Sequence, residues 1–560
     1  MNKYYGVVAF VLLLALAYTS SVLAGSSPSG AGALSTPTQA PGTAVMVGQP
    51  VAPREFRGDL RELPQVKPTD KQEQRRLLLP NNEPNKQPAA NSPVPLPQTQ
   101  TPTLNMPSPL TSFNGLDFAT WGAGHPPDTV GDVGPNHYIQ AVNSAVGIFS
   151  KTGSLQAAFH FNDFWTSSPG GTPCDSSNQG DPTVLYDPLA DRWIVADFAW
   201  ADTQTGPYYE CFAVSKTSDP VSGGWWLYAI RADDADHPWL ADYPKMGLWP
   251  DGIYMSANMY DCLDSSCDSA TYMGVRAWAF DRNQMESGAE VQFVFKDLST
   301  SYFSLLPSNL RGSLPPSGTP NYFVSNDFSA WGLDVWKFHV DWTIPANSTF
   351  SGPSLVTIAS YTLPPNTIPQ PVGDDLDSLG DRLMMQNQYR NIGGTESLWL
   401  THTAGSGGVA GIRWYQLNVT GSAVASSPVQ SGTYQPDSNY RWMPSLAVDQ
   451  AGNMAIGYSV SSGSMNPAIR YAGRLADDAL NTLGRGETTL IAGTGAQSGG
   501  FGRWGDYSAM TVDPVDDCTF WYTTEYYETT GNDWQTRIGS FKFPSCGSGT
   551  FRIYLPLVNR

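Results

Sequence analysis

From about residue 113 onward, short apolar and aromatic runs recur, each closed by a turn rich in Asp, Pro, Gly or Asn. Alternation over such short stretches predicts strands, and a 3.6-residue period is rarely sustained for more than about two turns. The runs come in a repeat: a strand, a polar turn, then a second apolar or aromatic strand. Instances open at Asp128, Asp181, Tyr243, Asp381, Trp442 and Trp504, and a blurred one ends in Pro320–Asn326. A third strand follows most of them, as at 209–215, 274–281, 332–340, 411–419, 468–475 and 535–543. Seven units over 113–560 leave about 64 residues each, the size of a four-stranded blade with an added loop. The expected fold is all-β: a β-propeller of seven four-stranded blades over 113–546, preceded by a disordered linker. Radial packing protects the sheet edges and buries the aromatic faces. Six or eight blades, or an array of β-sandwiches, are the competing architectures.

The first 112 residues read differently. Lys3, the apolar run Val7–Ala17 and the small-residue pattern Val22-Leu23-Ala24 predict a secretory signal over 1–24. The run is too short for a spanning helix, and no other stretch approaches the ~18 apolar residues that a membrane span needs. Residues 25–112 are dominated by Pro, Ser, Thr, Gln and Asn, too polar to offset chain entropy by burial, and predict an extended spacer. Within it, Arg54–Arg61 is read as a solvated piece of linker, pairing with the domain being the alternative. The tail 547–560 is apolar with a basic end, and reads equally as a sorting tag or a final strand.

Composition narrows the function. With 45 Pro, 54 Gly and only 14% charged residues, the chain is neither a coiled coil nor a charge-rich disordered protein. The body from 113 holds 44 acidic against 22 basic side chains, so a phosphate-binding surface is excluded and nucleic acid is no partner. Export to an oxidising compartment predicts disulfides for the six cysteines. Fifteen pairings are formally possible; local spacing favours Cys174 with Cys211, Cys262 with Cys267, and Cys518 with Cys546. Metal ligation by these thiols is the alternative, although no pair has zinc-knuckle spacing.

At Leu376–Met384, Gly411–Tyr415, Tyr440–Ser445 and Gly502–Ser508 the chain resembles a broad group of secreted bacterial propeller proteins placed near the sialidase-like folds. The resemblance is best over 370–546 and weaker over 127–259. It implies the propeller fold and export, and no particular reaction. The Ser-x-Asp-x-Gly-x-Thr-Trp turn box of true sialidases is absent; Val448–Asn453 is a distant analogue.

In a propeller the starts of successive units converge on one funnel. That places Asp128, Asp132, Asp181, Asp242, Asp381, Arg382, Arg441, Arg503 and Asp506 in one candidate ligand-binding ring. Its arginines would grip a carboxylate or sulfate by paired hydrogen bonds; the competing role is to tie each blade to a neighbouring Asp. Asp128 with Asp132, or Asp506 with a group across the channel, would serve glycoside cleavage at a separation of about 5 to 10 Å, against a structural role as turn residues. The oxygen-rich clusters Asp374-Asp375-Asp377, Asp261-Asp264-Asp268 and Asp513-Asp516-Asp517 suggest calcium, the first favoured because Asp381 follows it, though none matches an EF-hand. The six histidines lack zinc-hydrolase spacing, and there is no serine nucleophile elbow, dinucleotide motif or P-loop. Trp225, Trp226, Trp239, Trp249, Trp331 and Trp336 offer sugar-stacking faces or blade packing.

These features point to an exported or cell-surface propeller that binds an extracellular glycan or protein. A sialidase-like glycoside hydrolase or lyase working in the funnel is the enzyme-class alternative, and a self-associating surface-layer component is the structural one.

Overall fold

Among the described residues, seven groups of four antiparallel strands, all but the last made of consecutive hairpins, account for nearly all regular structure. Their first strands, called lead strands here, are Val130–Val133, Gly180–Asp187, Leu240–Leu248, Leu306–Leu310, Met384–Ile392, Tyr440–Val448 and Ala509–Val512. Each lead strand lies beside the lead strand of the next group, and the seventh lies beside the first. Groups four and five are joined into one eight-stranded sheet by parallel pairing of Ser308–Leu310 with Asn387–Tyr389. Group seven takes its fourth strand, Thr111–Asp117, from far upstream, paired with Gln535–Lys542.

Facing sheet surfaces form the core. Trp193, Trp225, Trp249, Trp278, Trp414, Trp442, Trp504 and Trp534 are fully buried, and rings stack between groups, as Tyr138 does on Trp521. Of the tryptophans weighed between sugar stacking and blade packing, Trp225, Trp249, Trp331 and Trp336 are buried in this packing; Trp226 and Trp239 are half-buried.

Three of the turns that end lead strands share one chemistry. Asp187, Asp449 and Asp513 each accept a backbone N–H two residues on, at 2.6, 2.9 and 3.0 Å, the Asx turn that Asp favours. This repeated turn is what made the units legible.

This computed structural model describes residues 42–64, 97–99, 102–121, 124–265, 267, 269–500 and 502–547, all within one compact unit, Pro41–Arg560. The predicted signal segment, most of the spacer and all but the first residue of the tail lie outside them. Among the described residues no helix is long and apolar enough to cross a membrane. Cys174–Cys211, Cys262–Cys267 and Cys518–Cys546 are disulfide-bonded.

The spacer expected through residue 112 is corrected in part. Met46–Val47 pairs with Phe293–Leu298, Arg54–Phe56 pairs with Trp225–Arg231, and Phe56 and Leu60 are buried. Arg54–Arg61 is therefore no solvated linker: few apolar residues suffice when a ready-made sheet edge supplies the partners.

Candidate active site at the starts of the lead strands

The lead strands begin under strain. Asp128, Asp181, Tyr243, Ser304 and Met443, each at or within two residues of a lead strand, have φ between +47° and +56°. Non-glycine residues seldom adopt this left-handed region, and such outliers persist where the surroundings enforce them, often at functional sites. The register slips beside three of them, at Gly180/Thr183, Asp242/Lys245 and Trp442/Ser445. Bulges of this kind re-aim side chains, here those of the strand entrances.

The re-aimed groups form one polar cluster. Asp128 accepts from Asn143 Nδ2 at 2.6 Å and from the Asp506 N–H at 2.6 Å, and Asn143 Oδ1 accepts the Asp181 N–H at 2.8 Å. Tyr507 donates to Asp181 at 3.0 Å. Arg503 bridges Asp377 and Asp506, each at 2.7 Å. Arg382 is clamped by Asp381 through two bonds of 2.6 and 2.8 Å and lies 4.9 Å from the rings of both Tyr243 and Phe303. Lys245 Nζ sits 3.0 Å above the Tyr243 ring and 3.6 Å above the Tyr507 ring, a doubled cation–π seat. Glu525 accepts the Gly505 N–H from below the loop that carries Arg503 and Asp506.

Burial and charge set the electrostatics. Asp128 and Lys245 are 3% and 1% exposed, whereas Arg503, Asp506 and Asp377 keep 19%, 14% and 23% of their side chains exposed. Burial, then the charges of Asp506 and Asp181, hold the Asp128 carboxyl well above the usual range. Asp242 is raised by burial and by the same two neighbours in the reverse order. Asp181 is pushed up to about 6, by burial first and Asp506 second, against the opposing pull of Lys245 and the Tyr507 hydroxyl. Burial pushes Glu525 up and Lys245 down. The cluster therefore contains carboxyls that keep a proton to higher pH than usual beside one, Asp506, bonded to a guanidinium.

The other ends of the lead strands are plugged. Arg311 binds Asp132 and also donates to the Tyr186 carbonyl at 3.2 Å. Arg390 binds Asp517 at 2.6 and 2.8 Å and the Val448 carbonyl, and Arg282 binds Asp187. Between plug and cluster, Asp132, Asn309, Gln386, Ser445 and Thr511 line a small cavity contributed by several lead strands.

Of the expected ring, Asp128, Asp181, Asp242, Asp381, Arg382, Arg503 and Asp506 belong to this cluster. Asp132 does not. Its carboxylate is bonded instead to Arg311 and to the Tyr186 and Val133 N–H groups, each of the last two at 2.8 Å. Arg441 is also elsewhere: alternation sends Trp442 to the neighbouring group and Arg441 into its own sheet, fully buried against Asp437 and Glu487. Each of the three arginines is bonded to carboxylates of the chain, the role weighed against an anion grip.

The calcium expectation finds no assembled ligand set. Asp377 is bonded to Arg503 and the Trp504 N–H, while Asp374 and Asp375 are exposed. Asp513, Asp516 and Asp517 pair with Lys151, Lys542 and Arg390, and Asp268 lies outside the described residues. No group of three or more His, Cys, Asp or Glu among the described residues is placed to hold a metal ion.

Lys245, Tyr243, Tyr507, Asn143 and Glu525 were not anticipated. Glu525 did leave a trace: it is the one charged residue of the strand Thr519–Tyr526, whose aromatic neighbours are buried, and a buried charge demands a reason.

No family model and no curated protein matches the chain. Among solved structures, it is similar to a protein of unknown function from Dyadobacter fermentans, at 12% identity and TM-score 0.36, covering 65% of this chain and 94% of that one. An α-L-arabinanase from Penicillium chrysogenum complexed with arabinobiose is similar at 10% identity and TM-score 0.34, over 69% and 100%. An exo-β-1,3-galactanase from Clostridium thermocellum is similar at 10% identity and TM-score 0.29, over 80% and 97%. At these scores the likeness defines neither fold nor chemistry.

Proposed function

We propose that the seven groups are the blades of one propeller, exported from the cell, and that the polar cluster hydrolyses glycosidic bonds in a neutral glycan. The observation that carries this reading is the pair Asp181 and Asp506. Asp181 holds a proton up to about pH 6, while Asp506 is balanced by Arg503 at 2.7 Å. Two carboxyls in unlike environments divide the work of glycoside cleavage, one protonating the departing oxygen and the other serving as base or nucleophile. The surplus of carboxyls over cations favours the oxocarbenium-like charge that develops in such a reaction. The same surplus, with the arginines occupied, disfavours acidic sugars and sets sialosides aside.

The test is a screen of neutral polysaccharides and aryl glycosides with purified protein. Asp181→Asn and Asp506→Asn should each lower turnover by about 10³-fold or more, and Asp132→Asn should not. Release of no sugar from any substrate would reject the reading.

A second reading, ligand binding without turnover, is favoured by the saturation of Asp128, both of whose oxygens accept hydrogen bonds within the protein. Retention on a glycan array by a wild type that cleaves nothing would select it.

A further inference from the structure

The segment 42–62 runs around the outside of the body against chain order, touching group four, then three, two and one. The Phe350 N–H donates to the Thr43 carbonyl at 2.9 Å and Ala44 bridges to Thr349, on the outer strand of group four. Met46 and Val47 pair with Phe295 and Val294 in group three, where Gly48 donates to Phe293 at 3.0 Å and Val51 exchanges two bonds with Val291. Arg54–Phe56 pairs with Trp225–Leu227 in group two. The Leu60 N–H donates to Val221 at 2.9 Å, and the turn Leu60–Glu62 lies against Leu155–His160 of group one.

Side chains make the seat selective. Arg54 binds Asp175 at 2.6 Å and Thr172 at 3.1 Å and lies 5.2 Å from the Trp165 ring. Glu55 binds Lys216, which itself rests 4.3 Å from the Trp226 ring. Phe56 is 3% and Leu60 0% exposed, and Phe56 meets Phe164 edge-on at 5.9 Å. A Cβ on Gly48 would stand 2.1 Å from the Phe293 ring. Without this segment, three adjacent outer strands would present unpaired backbone, which templates further strand pairing.

We propose that the outer edges of groups one to four form a strand-binding surface that recognises the sequence 42–62 and takes it from a second copy of this chain as well as from its own. The segment carries the whole contact set and is set well apart in sequence from the next strand of the body, Thr111–Asp117. The same segment of another copy therefore satisfies every bond, and a symmetric exchange conserves them all.

The experiment uses the folded full chain with a protease recognition sequence inserted after Arg76, cut once and then mixed with a fluorescein-labelled peptide of residues 42–64. The labelled peptide should co-elute with the body, displace the cut segment and be competed by unlabelled peptide. A peptide carrying Gly48→Val and Phe56→Asp should compete about 100-fold less well. Both substitutions sit in the peptide, so the fold of the body is not at stake. A cut segment that stays in place for days against excess peptide, or one that leaves while the labelled peptide fails to bind, overturns the proposal.

Discussion

The Tyr507 hydroxyl donates to the Asp181 carboxylate at 3.0 Å, joining the approach to the seventh lead strand to the start of the second, with group one between them. Burial, and then the charge of Asp506, make Asp181 a weaker acid than usual, pushed up to about 6. Its folded value of about 6 lies above the ordinary 3.8, so its contribution to stability is fully present below about pH 4 and is lost as pH rises through about 6. Asp181→Asn should raise Tm relative to wild type at pH 8, and the gain should vanish at pH 4. Thermal unfolding of both proteins across pH 4–8 checks this; a gain independent of pH would place the raised carboxyl elsewhere.

Arg503 holds Asp377 and Asp506 together, and the group is mostly buried. Removing the cation leaves two carboxylates facing each other in a dry setting, and breaking such a pair from one side is far more costly than its net worth. Arg503→Met should lower unfolding free energy by about 3 kcal/mol, measured by urea titration at pH 7. Since the remaining carboxylates repel less once protonated, the deficit should shrink at pH 4.

The plug predicts the opposite division of effects. Asp132 and Arg311 are 1% and 5% exposed in their side chains, away from the polar cluster. Asp132→Asn and Arg311→Met should each be destabilising by about 3 kcal/mol and be strongly non-additive when combined. Neither should change the KM of any substrate or the Kd of any glycan found for the wild type. A selective loss of affinity in Asp132→Asn would return that residue to the site.

What could be read from the chain follows from range. The Asp-led turns and aromatic strands are local, so six of the repeats stood out, and the convergence of their starts brought Asp128, Asp181, Asp242, Arg382, Arg503 and Asp506 into view. The fourth lead strand, Leu306–Leu310, contains Pro307, Ser308 and Asn309 and is secured by parallel pairing with a strand far along the chain; nothing local marks it. Asp132 and Arg441 were misplaced because a repeat gives the start of a strand but neither depth along it nor which face a side chain takes. The seat of 42–62 escaped for the same reason: Arg54–Phe56 is short and charged, and its partners Asp175, Lys216 and Trp225 are more than a hundred residues away.

The three disulfides should differ in what their removal costs. Cys174–Cys211 closes a separation of 37 residues, Cys518–Cys546 one of 28 and Cys262–Cys267 one of 5. If the bridges act chiefly by restricting the unfolded chain, loss of stabilisation scales with the logarithm of loop length, about 4 kcal/mol for the first two and about 2 kcal/mol for the short loop. Cys174 and Cys211 are 1% and 2% exposed and Cys262 and Cys267 3% and 0%, so Ala replacements lose packing at both bridges and the ranking rests on the length of the closed loop. Paired Cys→Ala variants compared by urea unfolding should rank the short bridge last. Equal losses for all three would mean that native-state packing, and not chain restriction, dominates.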